Sequence, residues 1–117
     1  MPERVTTNDT YKVGNADVFL SLAVGEGQFG TSDVSIAGNQ LLRSSGSIGR
    51  MRIGSGPQVT GKMLKVKSVV SDVSTMTDKM SLTYQLTGGQ GSKSITVRGK
   101  VDKAGKMLIF DTTFALS

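Results

Sequence analysis

Residues 95–110 read ITVRGKVDKAGKMLIF, and their pattern decides the fold prediction. Apolar side chains recur at every second position on both sides of the segment DKAG at residues 102–105, and this period of two indicates β-strands. The glycine of that segment can take the left-handed conformation that closes a turn. We therefore predict an antiparallel hairpin in which Val97 faces Phe110.

The same alternation extends over residues 62–116. The segment TGGQGS at residues 87–92 predicts another turn, which places Tyr84 opposite Val97. We expect this C-terminal half to form a four-stranded antiparallel meander, since both turns put the apolar residues on one face. The predicted inward positions are Leu64, Val66, Val70, Met80, Leu82, Tyr84, Leu86, Ile95, Val97, Val101, Leu108, Phe110, Phe114 and Leu116.

The first half of the chain is less regular but also favours strands, at about residues 6–13, 16–24 and 29–37. Residues 16–24 are apolar at both odd and even positions, which is typical of a strand buried on both sides. The 117 residues are enough for one packed core. We predict a single all-β domain over residues 1–117, either an antiparallel β-sandwich or a flattened β-barrel of about seven or eight strands.

Two segments fit this pattern poorly. Residues 1–8 are a polar leader, without the apolar stretch of a signal peptide. Residues 43–61 are rich in glycine and serine and carry Arg50 and Arg52; they predict a basic loop or a loose hairpin. No apolar run is long enough for a membrane-spanning helix, so no membrane span is predicted. The compartment stays undetermined.

The segment GEGQFG at residues 25–30 resembles the glycine-rich loop of protein kinases. The resemblance covers six residues, whereas a kinase also needs a histidine-containing catalytic loop and a far longer chain. A dinucleotide-binding loop of the same spacing would open a helix, but residues 31–36 alternate as a strand. We interpret the segment as a plain hairpin link between two strands.

Histidine and cysteine are both absent, which excludes imidazole and thiolate catalysis and the metal sites built from those groups. The carboxylates are scattered, and Asp111 is expected opposite Thr96, near no other acid. We therefore predict no catalytic residue, no metal and no cofactor.

The net charge of +5 is concentrated in one stretch, because residues 43–67 contain six cations and no acid. In the predicted register Lys65 and Lys67 share an outward face with Arg98 and Lys100, which makes a basic strip beside the arginines of the 43–61 segment. Such a strip suits phosphates or an acidic protein surface, through long-range attraction. The alternative is that these are ordinary solvated positions. Nucleic acid is a weaker candidate, since few aromatic residues are available for stacking.

Two apolar residues, Met107 and Ile109, interrupt the outward polar positions of the last strand. Either the first-half strands cover them, which we expect, or they mediate self-association into a homo-oligomer. The sequence as a whole predicts a non-catalytic binding or assembly module that contacts a protein partner. The alternatives are a small β-barrel that binds an apolar ligand and a carboxylate-based enzyme.

Overall fold

Two β-sheets packed face to face form the protein, in a computed structural model that describes residues 3–26, 28–72, 79–101 and 106–117. One sheet has five strands in the order β1-β9-β6-β3-β4, and the other has four in the order β5-β2-β7-β8. The prediction of an all-β sandwich is thus confirmed. The elements are β1 (Glu3–Tyr11), β2 (Asp17–Val24), β3 (Phe29–Ile36), β4 (Asn39–Ser45), β5 (Ile48–Ser55), α1 (Gly56–Val59), β6 (Met63–Ser71), β7 (Lys79–Gly89), β8 (Gly91–Lys100) and β9 (Met107–Leu116).

The core lies between the sheets, because each strand turns one set of alternate side chains inward. Thr112 in β9 donates a hydrogen bond to the hydroxyl of Tyr84 in β7 at 2.9 Å, and the Tyr84 ring meets Phe114 edge to face with 5.8 Å between centroids. Of the fourteen predicted inward positions, thirteen are buried and Ile95 is partly buried against the core.

The predicted four-stranded meander is wrong. The chain changes sheet after β6 and again after β8, so β9 pairs with β6 and β1 and not with β8. Val97 therefore does not face Phe110. Alternation determines which face of a strand is buried but not which strand lies beside it, and this is why the prediction failed. The predicted turn at residues 102–105 lies outside the described residues.

The β7–β8 hairpin is confirmed, but its register differs by two residues. Tyr84 lies opposite Ile95, whereas Val97 pairs with Leu82. The chain reverses more tightly than expected because Gly88 and Gly91 have φ angles of +93° and +107°. A shift of two residues leaves every side chain on its predicted face.

The segment GEGQFG does not form a hairpin, because β2 and β3 belong to different sheets. It carries the chain from one layer of the sandwich to the other. Gly25 is needed there, since a Cβ atom at this position would collide with the hydroxyl of Ser81 in β7. Gly27 lies outside the described residues. The expected two-sided burial of β2 is also wrong, since only its inner face is fully buried.

The segments read as a leader and as a loop are largely strands. Residues 3–8 belong to β1, an edge strand that runs parallel to β9 and raises the strand count to nine among the described residues. Tyr11 anchors its end by donating to the carbonyl of Gly91 and accepting from the amide of Gly89. Residues 43–61 contain the end of β4, all of β5 and the helix α1. The loose hairpin is wrong, because β4 and β5 lie in different sheets.

Within the described ranges, no helix has the length and apolar character needed to cross a membrane.

Candidate functional site

The six cations predicted to bind a partner lie on two opposite surfaces. Lys65 and Lys67 project from β6 on the outer face of the five-stranded sheet. The other four project from β5 and β8 on the outer face of the four-stranded sheet. They are Arg50, Arg52, Arg98 and Lys100. The continuous strip is therefore wrong, because its two lysines belong to the other layer.

We call the outer surface of the four-stranded sheet the basic face. Besides the four predicted cations it carries Lys79 at the start of β7, which the sequence analysis did not single out. Asp17 is the one acidic residue in these four strands. This face thus carries five cations and one acid, fewer net charges than the six cations of the predicted strip and loop.

One corner of the basic face brings like charges together. Lys79 and Lys100 lie directly opposite each other across β7 and β8, and Arg98 lies opposite Ser81 two residues along. Like charges at opposing positions of an antiparallel pair destabilise the sheet. The β7–β8 pairing therefore concentrates three cations at this corner.

The diagonally opposite corner holds two arginines in fixed positions. The guanidinium of Arg50 stacks on the ring of Phe19 with 3.9 Å to the centroid, while Arg52 forms an ion pair with Asp17 at 3.1 Å. A hydrogen bond from Arg52 holds the pKa of the Asp17 carboxyl below its usual value. Arg50 covers the aromatic face, so Phe19 is not available for base stacking.

Small, uncharged polar groups fill the area between the two corners. Thr83 and Thr96 lie opposite each other, with 3.0 Å between their hydroxyl oxygens. The outer positions of this middle region are Ser21, Ala23, Ser81, Thr83, Gln85, Ser94 and Thr96. They present hydroxyl and amide groups without a carboxylate.

The outer face of the five-stranded sheet carries a row of alternating charges. It crosses all five strands, from Arg43 through Asp33, Lys67 and Asp111 to Arg4. Arg43 contacts Asp33 at 2.7 Å, and Arg4 forms an ion pair with Asp111. We call these five residues the charge row. Asp111 thus lies opposite Lys67, and the predicted position opposite Thr96 is wrong.

An apolar patch adjoins the charge row on this face. Phe29 and Met107 are 48% and 44% exposed and lie in one row, on either side of β6. Val69 lies directly opposite Ile109 in the adjacent row. We call these four residues the apolar patch. The expectation that first-half strands cover Met107 and Ile109 is wrong, because those strands pack against the other side of the sheet or within it.

The carboxylates of the charge row form ion pairs. A shallow depression of about 460 Å³ lies beside the charge row and includes Asp33, Lys65, Lys67 and Asp111 in its lining. Hydrogen bonding from Arg43 holds the pKa of the Asp33 carboxyl below its usual value, which makes it a weak base. In the part of the chain that the structure describes, no group of three or more acidic, histidine or cysteine side chains could hold a metal ion.

The sequence analysis missed Lys79, Phe29 and Val69. Alternation along β6 already puts Val69 on the same side as Lys65 and Lys67, so that signal was available. The grouping of Phe29 with Met107 was not, because it depends on the order of strands in the sheet.

Comparison with known proteins adds no relative: no family model, no curated protein and no solved structure matches the chain.

Proposed function

We propose that this protein is a non-catalytic binding module whose basic face takes an acidic segment of a protein partner. The observation that carries the proposal is the composition of that face. It presents five cations from three strands, while Asp17 is the one acidic residue in the whole four-stranded sheet. Long-range attraction would draw an anionic partner to this side of the molecule.

The corner at Lys79, Arg98 and Lys100 supports the proposal most strongly. The β7–β8 pairing brings these three cations together, so an anion bound at this corner is attracted by all of them. Arg50 and Arg52 provide a second anchor with less freedom to lose, because stacking and ion pairing already orient their side chains.

The spacing of the two corners fits an extended polypeptide. They are separated by three strand spacings across the sheet and about seven residues along it, which corresponds to a diagonal of about 25 Å. An extended segment of about eight residues covers that distance. Its carboxylates could meet both groups of cations, while its backbone could hydrogen-bond the hydroxyl groups of Thr83 and Thr96.

A protein partner suits this surface better than a single-stranded nucleic acid. Nucleic acids of that kind are held by bases stacked on aromatic side chains between the cations. On the basic face Arg50 already occupies the ring of Phe19, and the middle region carries only small polar groups.

The test is the binding of fluorescein-labelled poly-L-glutamate, measured by fluorescence anisotropy at low and moderate salt. The double variant Arg98→Glu/Lys100→Glu should weaken binding about tenfold, equivalent to roughly 1.4 kcal/mol. The matched control is Lys62→Glu/Lys65→Glu, which changes the net charge by the same amount away from the basic face. It should weaken binding by less than about threefold.

Circular dichroism spectra should show that both double variants keep the β-sheet signal. Equal losses in the two would mean that net charge alone governs binding, and the proposal would be wrong. A second probe, a fluorescein-labelled oligothymidine, separates the two classes of polyanion. If it binds more tightly than poly-L-glutamate at equal salt, the partner is a nucleic acid and the acidic protein is rejected.

A further inference from the structure

We infer that the outer face of the five-stranded sheet binds a second copy of this chain, through the apolar patch and the charge row together. This surface is on the opposite side of the sandwich from the basic face. The inference therefore does not depend on the proposed function.

The apolar patch supplies the first argument. Phe29 and Met107 are each about half exposed on either side of Ser71, and the Val69–Ile109 pair lies in the adjacent row of the same sheet. Neither Val69 nor Ile109 is among the residues that pack against the core. Contiguous apolar surface of this kind, bordered by charges, is characteristic of protein contact surfaces.

The charge row supplies the second argument, because its signs make it complementary to itself. From one sheet edge to the other the signs run plus, minus, plus, minus, plus. We place a twofold axis parallel to the strands, above the gap between β6 and β9. It puts β6 over the partner's β9 and β1 over the partner's β3, while β4 lies outside the contact. Lys67 then faces the partner's Asp111, and Asp111 faces the partner's Lys67. Arg4 lies beside Ile109 in the register, but its side chain extends to Asp111 and therefore towards the partner's Asp33. The two central charges of each copy thus meet charges of opposite sign.

The same axis also brings the Val69–Ile109 pairs of the two copies together, while Phe29 lies towards the start of the partner's β1. A rotation about a line parallel to the strands preserves height along them, so Val69 lies over the partner's Ile109 and Ile109 over the partner's Val69. Such an isologous contact is closed and stops at a dimer. One geometry thus satisfies both the apolar and the charged parts of the face.

The area of the contact predicts a weak dimer. Four overlapping strands spaced about 4.8 Å apart, each about ten residues long, cover roughly 600 Å² in each copy. The total of about 1,200 Å² is at the lower limit for specific interfaces. We expect a dissociation constant in the micromolar range.

The experiment is sedimentation equilibrium of the full chain from about 5 µM to 500 µM, with no anionic probe present. The wild type should shift from monomer to dimer in this range. Met107→Asp should raise the dissociation constant more than about tenfold. The matched control is Leu41→Asp, because Leu41 is 40% exposed and belongs to β4, the strand that this arrangement leaves outside the contact. It should change the constant less than about threefold.

A wild type that stays monomeric up to 500 µM overturns the inference, and so does a control that weakens the dimer as much as Met107→Asp. If the circular dichroism spectrum shows that Met107→Asp fails to fold, Val69→Asp replaces it with the same expected loss, because Val69 lies over the partner's Ile109. A failed dimer leaves the binding of poly-L-glutamate unaffected, so the two results can be separated.

Discussion

Lys79 and Lys100 lie directly opposite each other on the outer surface of the β7–β8 pair. This arrangement concentrates positive charge at the corner where we propose that an anion binds. Because stability and binding make opposite demands on the same pair, one substitution can separate them.

Lys100→Glu should increase stability and weaken binding at the same time. It turns a repulsive cross-strand pair into an attractive one, which we expect to raise the free energy of unfolding by about 0.5 kcal/mol in urea titrations. The affinity for poly-L-glutamate should fall. Lys62→Glu is the control with the same charge change and no opposing lysine. A Lys100→Glu variant that is less stable than the wild type contradicts this account of the corner.

The core pair Tyr84 and Thr112 predicts how stability changes at alkaline pH. Burial raises the pKa of Tyr84 from 10.0 to about 12, while hydrogen bonds from Thr112 and Ser68 oppose that effect. The unfolded chain therefore releases this proton first. The contribution of Tyr84 to the free energy of unfolding is fully present below pH 10. It decreases by about 1.4 kcal/mol per pH unit as the pH rises towards 12.

Tyr84→Phe isolates this effect from the titration of the lysines. Urea unfolding at pH 9, 10 and 11 should show a shallower decline for the variant than for the wild type. Tyrosinate absorbance supplies a second reading, since Tyr84 should ionise only as the fold is lost. Equal slopes for the two proteins would show that Tyr84 is accessible to solvent.

Acid should destabilise the protein only at low pH. Asp9, Asp17 and Asp33 have lowered pKa values, mainly because Lys93, Arg52 and Arg43 respectively donate hydrogen bonds to them. These ion pairs contribute to the free energy of unfolding at pH values above the unfolded-state pKa, near 3.8. That contribution is lost as the pH falls through the lower pKa values of the folded protein. The chain has no histidine, so stability should be flat between pH 6 and 8. A loss that begins near pH 6 in urea titrations would refute this.

Asp72 predicts a stabilising substitution. Its side chain is buried at the end of β6, and neither carboxylate oxygen has a hydrogen-bond partner. Burial of a carboxylate without partners costs free energy. Asp72→Asn should therefore raise the free energy of unfolding at pH 7 by about 1 kcal/mol, whereas Asp33→Asn, which breaks an ion pair, should not. A destabilised Asp72→Asn would indicate that the carboxylate has a favourable role.

Gly88 at the β7–β8 turn should tolerate no side chain. Its φ angle is +93°, and a Cβ atom would collide with the backbone carbonyl of Asp17 in β2. Gly88→Ala should lower the midpoint of thermal unfolding by several degrees, for a loss of about 2 kcal/mol or more. Gly91→Ala is the control, because its φ is also positive but its surroundings are open. Equal losses would mean that backbone strain alone is responsible.

The sequence predicted which face of each C-terminal strand is buried, but beyond the β7–β8 hairpin it did not predict which strands lie side by side. Alternation placed Tyr84 and Phe110 inward and Lys65 and Arg98 outward, because the buried face of a strand must be apolar whatever strand lies beside it. It could not show that β6 and β8 lie in different layers, since both strands carry the same pattern. For the candidate sites, too, the exposed face of a residue was predicted but its neighbours on other strands were not. Met107 was recognised as apolar at an outward position but was expected to be covered, and its grouping with Phe29 depends on strand order.

The most direct measurement of where an anionic partner binds is a two-dimensional nitrogen–proton NMR titration of the ¹⁵N-labelled protein with an eight-residue glutamate peptide. The account predicts that backbone amide signals shift at Thr83, Thr96, Arg98 and Lys100, while those at Lys65 and Asp111 stay in place. Shifts confined to β6 and β9, or spread evenly over both outer faces, would contradict it.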